Sequence, residues 1–172
     1  MQGIEQIAQF MAISATTAPK SKGENFVRTQ ILTGRDIETL AQAMIAYGRE
    51  TGKKDFDRDG GSVGRSQAVL LLGLEKATPI GLNCGACGFA DCKSMQEQTS
   101  VQGEFQGPIC SLRHLDLGIA IGSAVKTASM FNVDNRIMYR IGVVARNMGL
   151  VDWEFLMGIP LSVSGKNIFF DR

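Results

Sequence analysis

The sequence has little excess of charge of one sign and almost no histidine. Its 172 residues carry 18 basic and 17 acidic side chains, so the net charge is +1. A balanced charge provides no positive field that would attract phosphate groups, and we therefore expect no nucleic-acid partner. With His114 as the only histidine and no Gly-x-Ser-x-Gly string, the sequence gives no indication of a serine-type hydrolase.

Long hydrophobic runs are also missing. The longest, residues 68–74 and 119–125, fall far short of the roughly 20 apolar residues that span a bilayer. The amino terminus does not resemble a secretory signal, because Glu5 lies where the apolar core of such a signal begins. We therefore expect a cytoplasmic protein with no membrane partner. In a reducing cytoplasm the four cysteines are not expected to form two disulfides.

Hydrophobic periodicity predicts a mixture of helices and strands. The pattern indicates helices over residues 4–13, 36–50, 114–129 and 135–148, and strands over 25–33, 68–74 and 154–163, the last interrupted by Pro160. The third helix is apolar nearly all round and is predicted to be buried. Residues 51–65 are polar, which predicts an exposed loop or edge structure in which Asp55, Asp57 and Asp59 are solvated. Without βαβ repeats, we predict one α+β domain over residues 1–172, a sheet flanked by helices.

The four cysteines are the strongest chemical signal. Three lie in the string Cys84-Gly-Ala-Cys87-Gly-Phe-Ala-Asp-Cys92, and Cys110 follows after seventeen intervening residues. A [4Fe-4S] cluster takes one thiolate per iron, so a compact loop can supply three ligands and a distant residue the fourth. The two glycines in the string lack Cβ atoms, which lets the backbone wrap a cluster. We predict that Cys84, Cys87, Cys92 and Cys110 bind one [4Fe-4S] cluster in an inserted segment of about residues 80–112.

Zinc is the main alternative to the cluster. Four cysteines also bind zinc, and His114 follows Cys110 at C-x3-H spacing. Structural zinc sites usually consist of two short knuckles, whereas here three cysteines share one side with C-x2-C-x4-C spacing. This spacing favours the cluster and leaves zinc, a redox disulfide and free thiols as alternatives. We interpret His114 as a helix-start or packing residue.

The cysteine string resembles the small [4Fe-4S] domain of corrinoid iron–sulfur proteins and of some electron-transfer subunits. It matches at the first three cysteines and at Gly85 and Gly88. It departs at the fourth ligand, because Cys110 follows Pro108 and precedes Ser111, whereas such domains often have a proline just after this cysteine.

Over the whole chain, the sequence resembles an uncharacterised family of ferredoxin-domain-containing proteins from anaerobic bacteria and archaea. Residues 116–124, 133–139 and 158–172 carry this resemblance. It implies a ferredoxin module embedded in a domain of unknown function, with iron–sulfur binding and no assigned reaction.

A further resemblance is to the FMN-dependent nitroreductase fold. Residues 18–25, which end at Asn25, follow the first helix as the flavin-contacting loop does in that fold, and a strand and a helix come next. The helix after Asp116 and the strand around Pro160 also match. The basic pair that grips the FMN phosphate is missing, and no Gln-Pro follows Asn25. The resemblance implies FMN and a homodimer, and a solvated loop is the alternative interpretation of residues 18–25.

These features are compatible with three different functions. The first is an electron-transfer module whose cluster exchanges single electrons with a redox partner protein or a small-molecule electron acceptor. The second is an oxidoreductase of nitroreductase type in which the cluster supplies electrons to FMN. The third is a binding protein stabilised by zinc or by a cluster, because metal-binding energy is then folding energy.

Overall fold

Helices and strands alternate along residues 2–170, the part of the chain that a computed structural model describes. The helices are α1 (Gln2–Thr17), α2 (Arg35–Thr51), α3 (Phe56–Val63), α4 (Cys92–Gln96), α5 (Ser111–Met130) and α6 (Tyr139–Asn147). The strands are β1 (Val27–Leu32), β2 (Ala68–Leu74), β3 (Val101–Gln102), β4 (Gln106–Gly107), β5 (Asp134–Asn135) and β6 (Phe155–Ser162). A short 3-10 turn, Ser21–Gly23, lies between α1 and β1.

The main sheet has the order β1–β2–β6–β5, and all neighbouring pairs are antiparallel. Strand β2 is central, and every one of its residues is buried, as its continuous apolar run predicted. Leu71 lies opposite Gln30 of β1 and Gly158 of β6. The cysteine segment, with α4 and the hairpin β3–β4, is inserted between β2 and α5.

Helices cover both faces of this sheet. Successive residues of a strand point to opposite faces. Leu70 and Leu72 accordingly pack with α1 and α5, whereas Val69 and Leu71 pack with α2, α3 and α6. Burying each leucine fully contributes roughly 1.5–3 kcal/mol. The two cores therefore use alternate residues of one strand, and the fold is a mixed helix-and-sheet architecture, as predicted.

The prediction of an exposed loop or edge structure at residues 51–65 is wrong, because α3 forms there. Phe56 is buried against α2 and α6. Asp59, predicted to be solvated, is 2% exposed. Its carboxylate accepts hydrogen bonds from Arg58 Nε at 2.9 Å and from Arg140 Nη1 at 2.8 Å. Because Asp59 is polar although it is buried and paired, the composition of α3 resembles that of an exposed loop.

Pro160 lies inside β6 and does not interrupt it. Gly158 exchanges two backbone hydrogen bonds with Met138, on the side of β6 that faces β5. Alternate residues of a strand direct their backbone groups to the same side, so the missing N–H of Pro160 faces an unpaired stretch of chain. The predicted helix over 135–148 begins only at Tyr139, because Asp134–Asn135 pair with β6.

Helix α5 is buried on one side and not all round. Leu117 and Ala124 lie in the core, whereas Leu115 and Ile119 are 59% and 46% exposed. The prediction of a fully buried helix is therefore wrong, because only one of its two apolar faces contacts the sheet and α1. Among the described residues, no helix combines the length and apolarity that crossing a membrane requires.

Candidate metal centre

A tight loop carries the first three cysteines. Gly85 and Gly88 have φ values of 72° and 87°, a region that side chains with a Cβ rarely adopt. The N–H of Gly88 donates to the carbonyl of Gly85 at 2.9 Å, which closes a turn that follows Cys84 and contains Cys87. The glycines therefore allow the chain to curl where the sequence predicted it.

Two hydrogen bonds join the neighbours of different cysteines. The N–H of Cys92 donates to Oδ1 of Asn83 at 3.0 Å, next to Cys84. Ser111 Oγ, next to Cys110, donates to the carbonyl of Ala86 at 2.9 Å, next to Cys87. The first bond closes the loop on itself, and the second ties it to the start of α5. Together they connect the loop that carries three of the cysteines with the start of α5, where Cys110 lies.

The four cysteines differ in exposure. Cys110 precedes the first residue of α5 and is 6% exposed, in a small apolar cluster with Ile80 and Met95. Cys87 packs at the edge of that cluster, and Cys92 is half-buried. Cys84 is exposed. Cys110 is thus buried among apolar side chains, whereas Cys84 is open to solvent.

The donor chemistry fits an iron–sulfur cluster, since all four cysteines are free thiols and such a cluster takes one thiolate per iron. Among residues 2–170, no group of three or more His, Cys, Asp or Glu side chains is arranged to hold a metal ion. The ligand set predicted from the sequence, Cys84, Cys87, Cys92 and Cys110, stays a prediction.

Helix α4 begins inside the centre and is capped by Asp91. Its carboxylate accepts from the N–H of Ser94 at 2.7 Å, and the Ser94 hydroxyl contacts the N–H of Asp91 in return. The bonds from Ser94 lower the pKa of Asp91. This reciprocal cap fixes the start of α4, the position that Cys92 occupies.

His114 lies one turn into α5 and packs through its ring. Its imidazole meets the ring of Phe155 edge-on, with 5.0 Å between the centroids. Burial lowers the pKa of His114, because it disfavours the charged imidazolium. This packing agrees with the interpretation of His114 as a packing residue.

The hairpin β3–β4, between Cys92 and Cys110, is anchored to the helical layer. Glu104 at its tip accepts hydrogen bonds from the hydroxyls of Tyr47 and Tyr139, and it pairs with Lys53. Burial and the bond with Glu104 raise the pKa of Tyr47. Phe105 packs on the rings of Tyr139 and Phe155, at 5.6 and 4.5 Å between centroids. The insertion is therefore attached to the body at both of its ends and at its tip.

The loop that resembles a flavin-contacting loop, residues 18–25, is bound to the protein itself. Lys20 Nζ donates to three carbonyl oxygens at the carboxyl end of α1, at 2.7–2.9 Å. Ser21 donates to Asp116 through its N–H and its hydroxyl, and Glu24 pairs with Arg113. These side chains already have partners in the protein, so they do not fit a flavin-contacting role.

Arg113 is a buried charged residue near the cysteines that the sequence analysis missed. It lies three residues after Cys110, completely buried, and pairs with Asp116 at 3.2 Å. A signal for it was present: an arginine and an aspartate at i, i+3 spacing interrupt an otherwise apolar helix. The pairing with Glu24 had no such signal, because 89 residues separate the two.

The fold is similar to that of solved nitroreductases. It is similar to a nitroreductase with bound FMN from Desulfitobacterium hafniense DCB-2, with a TM-score of 0.60 at 11% identity, covering 94% of this chain and 79% of that one. An FMN-dependent nitroreductase from Mycobacterium smegmatis in complex with NADPH gives a TM-score of 0.61 at 11% identity, over 94% and 78%. These likenesses show the fold, as the sequence resemblance predicted.

Within this fold, the chain belongs to the family described as uncharacterized protein containing a ferredoxin domain (DUF2148). The sequence model of that family matches residues 106–172, which include Cys110 and the stretches that carried the resemblance. Residues 171 and 172 of the last stretch lie outside the described residues. An uncharacterized protein from Archaeoglobus fulgidus is 46% identical over 171 residues, covering 99% of this chain and 92% of the relative.

Proposed function

We propose that Cys84, Cys87, Cys92 and Cys110 bind one [4Fe-4S] cluster and that the protein transfers single electrons. The observation that supports the proposal is that two hydrogen bonds tie the loop of the first three cysteines to itself and to the start of α5, where Cys110 lies, and that all four cysteines are free thiols. The ferredoxin domain in the family's description supports it. When bound, such a cluster supplies one-electron redox chemistry.

The exposure of the cysteines suggests how the chain would use the cluster. Cys110 anchors the buried side, where the apolar cluster of Ile80 and Met95 excludes water. Cys84 faces solvent. A redox partner protein or a small-molecule electron acceptor would therefore approach from the side of Cys84. Leu82, 59% exposed, provides an apolar contact on that side.

Iron and sulfide analysis of protein purified without oxygen tests the proposal. About four irons and four sulfides per chain are expected. The Cys92→Ser variant should lose much of its iron, whereas Lys93→Ala, which removes an exposed side chain of the same helix and keeps every thiol, should retain it. A colourless protein with one zinc per chain would refute electron transfer and support the alternative, a protein that zinc stabilises.

The second candidate is an oxidoreductase that uses both FMN and the cluster. The nitroreductase-like fold favours it, since both solved relatives named above are FMN-dependent or hold FMN. The protein-bound side chains of residues 18–25 count against it. Heating the purified protein and recording the flavin absorbance of the supernatant distinguishes the two candidates: released flavin supports this one, and its absence after purification with added FMN refutes it.

We also propose that the protein forms a homodimer through α5. Leu115, Ile119 and Met130 leave an exposed apolar stripe along this helix. Burying such a stripe against a second copy removes apolar surface from water. Sedimentation should give twice the chain mass of 18.6 kDa, and Ile119→Glu should give a single chain. A wild-type protein that sediments as a single chain would refute the dimer.

A further inference from the structure

The side chain of Arg113 is charged and completely buried, with an exposed fraction of 0%. A guanidinium group does not lose its charge in proteins, so burial requires partners of opposite charge. Nη1 lies 3.2 Å from Oδ2 of Asp116, and Nη2 pairs with Glu24. The ring centroid of Phe26 lies 4.5 Å from the guanidinium carbon. Two carboxylates and an aromatic face therefore hold the cation.

The same guanidinium connects three segments of the chain. Nε donates to the carbonyl of Thr78 at 2.8 Å, and Nη1 donates to the carbonyl of Ser21 at 3.0 Å. Thr78 lies between β2 and the cysteine loop, and Ser21 lies between α1 and β1. Arg113 itself lies in the first turn of α5. One side chain thus joins segments that are up to 92 residues apart in the sequence.

These segments flank the four cysteines on both sides. Thr78 precedes Cys84 by six residues, and Arg113 follows Cys110 by three. The backbone N–H of Arg113 also donates to the carbonyl of Cys110 at 2.9 Å. The bond between Arg113 and Thr78 therefore limits how far Cys110 can move from the start of the cysteine loop. A cluster that takes one thiolate per iron needs this separation to be fixed.

We propose that Arg113 is a positioning residue of the metal centre, which holds Cys110 at the separation from Cys84 that the cluster requires. This inference rests on the proposed cluster binding. Lysine cannot replace Arg113, because an ammonium group lacks the planar fork that reaches four partners in different directions. Residues that orient metal ligands in this way typically change metal affinity about 10–100-fold when they are substituted.

Arg113→Lys tests this role, with Arg140→Lys as the matched control. Arg140 also pairs with a buried carboxylate, that of Asp59, and also lies over an aromatic ring, that of Phe56. It belongs to α6, in the helical layer on the other face of the sheet. Both variants keep the positive charge and remove the fork from an ion pair with a buried carboxylate. A general loss of stability should therefore affect both, and a loss of positioning only the first.

The wild type and both variants are reconstituted with iron and sulfide without oxygen. Circular dichroism reports folding, the rate of iron transfer to a chelator reports cluster retention, and electron paramagnetic resonance of the reduced cluster reports its environment. We expect Arg113→Lys to fold, to lose iron about 10–100-fold faster than the wild type and to show a changed resonance. Arg140→Lys should match the wild type in both cluster measurements.

Iron loss at the wild-type rate from Arg113→Lys would overturn the positioning role and leave cluster binding intact. Equal acceleration in both variants would also overturn it. If Arg113→Lys does not fold, Glu24→Gln replaces it, since this half-exposed carboxylate can be neutralised without opening the core. A smaller acceleration is then expected, and none would overturn the role. A wild type that takes up neither iron nor sulfide would refute the cluster itself and this inference with it.

Discussion

Two neighbouring glycines in α3 should respond to the same substitution with opposite signs. An added Cβ at Gly60 would lie 2.9 Å from the carbonyl oxygen of Ala41, 2.9 Å from Cγ1 of Ile45 and 3.2 Å from Cβ of Met44. All three belong to α2, so the two helices would have to move apart. At Gly61, no atom outside its chain neighbours and its own helix backbone lies within 4 Å of the added Cβ.

The magnitude follows from two terms. Replacing glycine by alanine inside a helix stabilises it by about 0.5–1 kcal/mol, and this gain applies to both positions. Overpacking at Gly60 costs about 1–3 kcal/mol. Gly61→Ala should therefore stabilise the protein, and Gly60→Ala should be less stable than Gly61→Ala by about 1–3 kcal/mol. Because both substitutions lie in one helix, the difference between them isolates the packing cost.

Thermal unfolding of the two variants and the wild type, followed by circular dichroism, measures this difference. For a chain of this size, 1 kcal/mol shifts Tm by roughly 2–4 °C. Gly60→Ala should therefore unfold about 2–12 °C below Gly61→Ala. Equal Tm values for the two variants would refute the close packing of α3 on α2. A lower Tm for Gly61→Ala than for the wild type would refute the helical assignment of this segment.

Three further predictions concern other parts of the fold. Gly142→Ala should destabilise the protein by about 3 kcal/mol in urea unfolding, because the new Cβ would lie 2.0 Å from a backbone oxygen of β6; an unchanged midpoint would contradict it. In a Tyr139→Phe variant, absorbance titration should show Tyr47 ionising above the ordinary pH of about 10, because burial and Glu104 raise its pKa. A titration midpoint for Tyr47 at or below the ordinary value would contradict this prediction. The stability from the raised pKa is fully present below about pH 10 and is lost as the pH rises through the folded-state pKa. Lys20→Met should lower the free energy of unfolding by about 1–2 kcal/mol, because three carbonyl oxygens lose a charged donor; a stability equal to the wild type would show that water replaces it.

Features with a local signal could be predicted from the sequence. The central strand was predicted because residues 68–74 are apolar without interruption, which suits a strand buried on both faces. The α+β class and the nitroreductase-like order of elements were predicted from periodicity and from resemblance, and the structural likeness confirms them. The candidate ligands were found because thiols and glycines at short spacing leave a pattern in the sequence itself.

Features stabilised by distant residues could not be predicted. Helix α3 looked like a loop, because its buried Asp59 depends on Arg140, 81 residues further along the chain. Pro160 looked like an interruption, because only the sheet order shows that its missing N–H faces an unpaired stretch. Both predictions assumed the environment that is commonest for the residue type: solvent for an aspartate and a strand break for a proline. In the fold, Asp59 is buried and paired, and Pro160 lies within a strand.

The sequence alone determined which thiols are candidate metal ligands and which strand lies at the centre, since both depend on residue type and spacing over a few positions. Only the tertiary structure decided how Cys110 meets the loop of the other three cysteines. The bond from Ser111 to Ala86 joins the two, and Arg113, three residues after Cys110 in the chain, binds Thr78, Ser21 and Glu24, which are 35 to 92 residues away. A buried charge needs partners of opposite charge, and the fold can provide them from any part of the chain. The spacing of residues along the sequence therefore does not predict which partners these are.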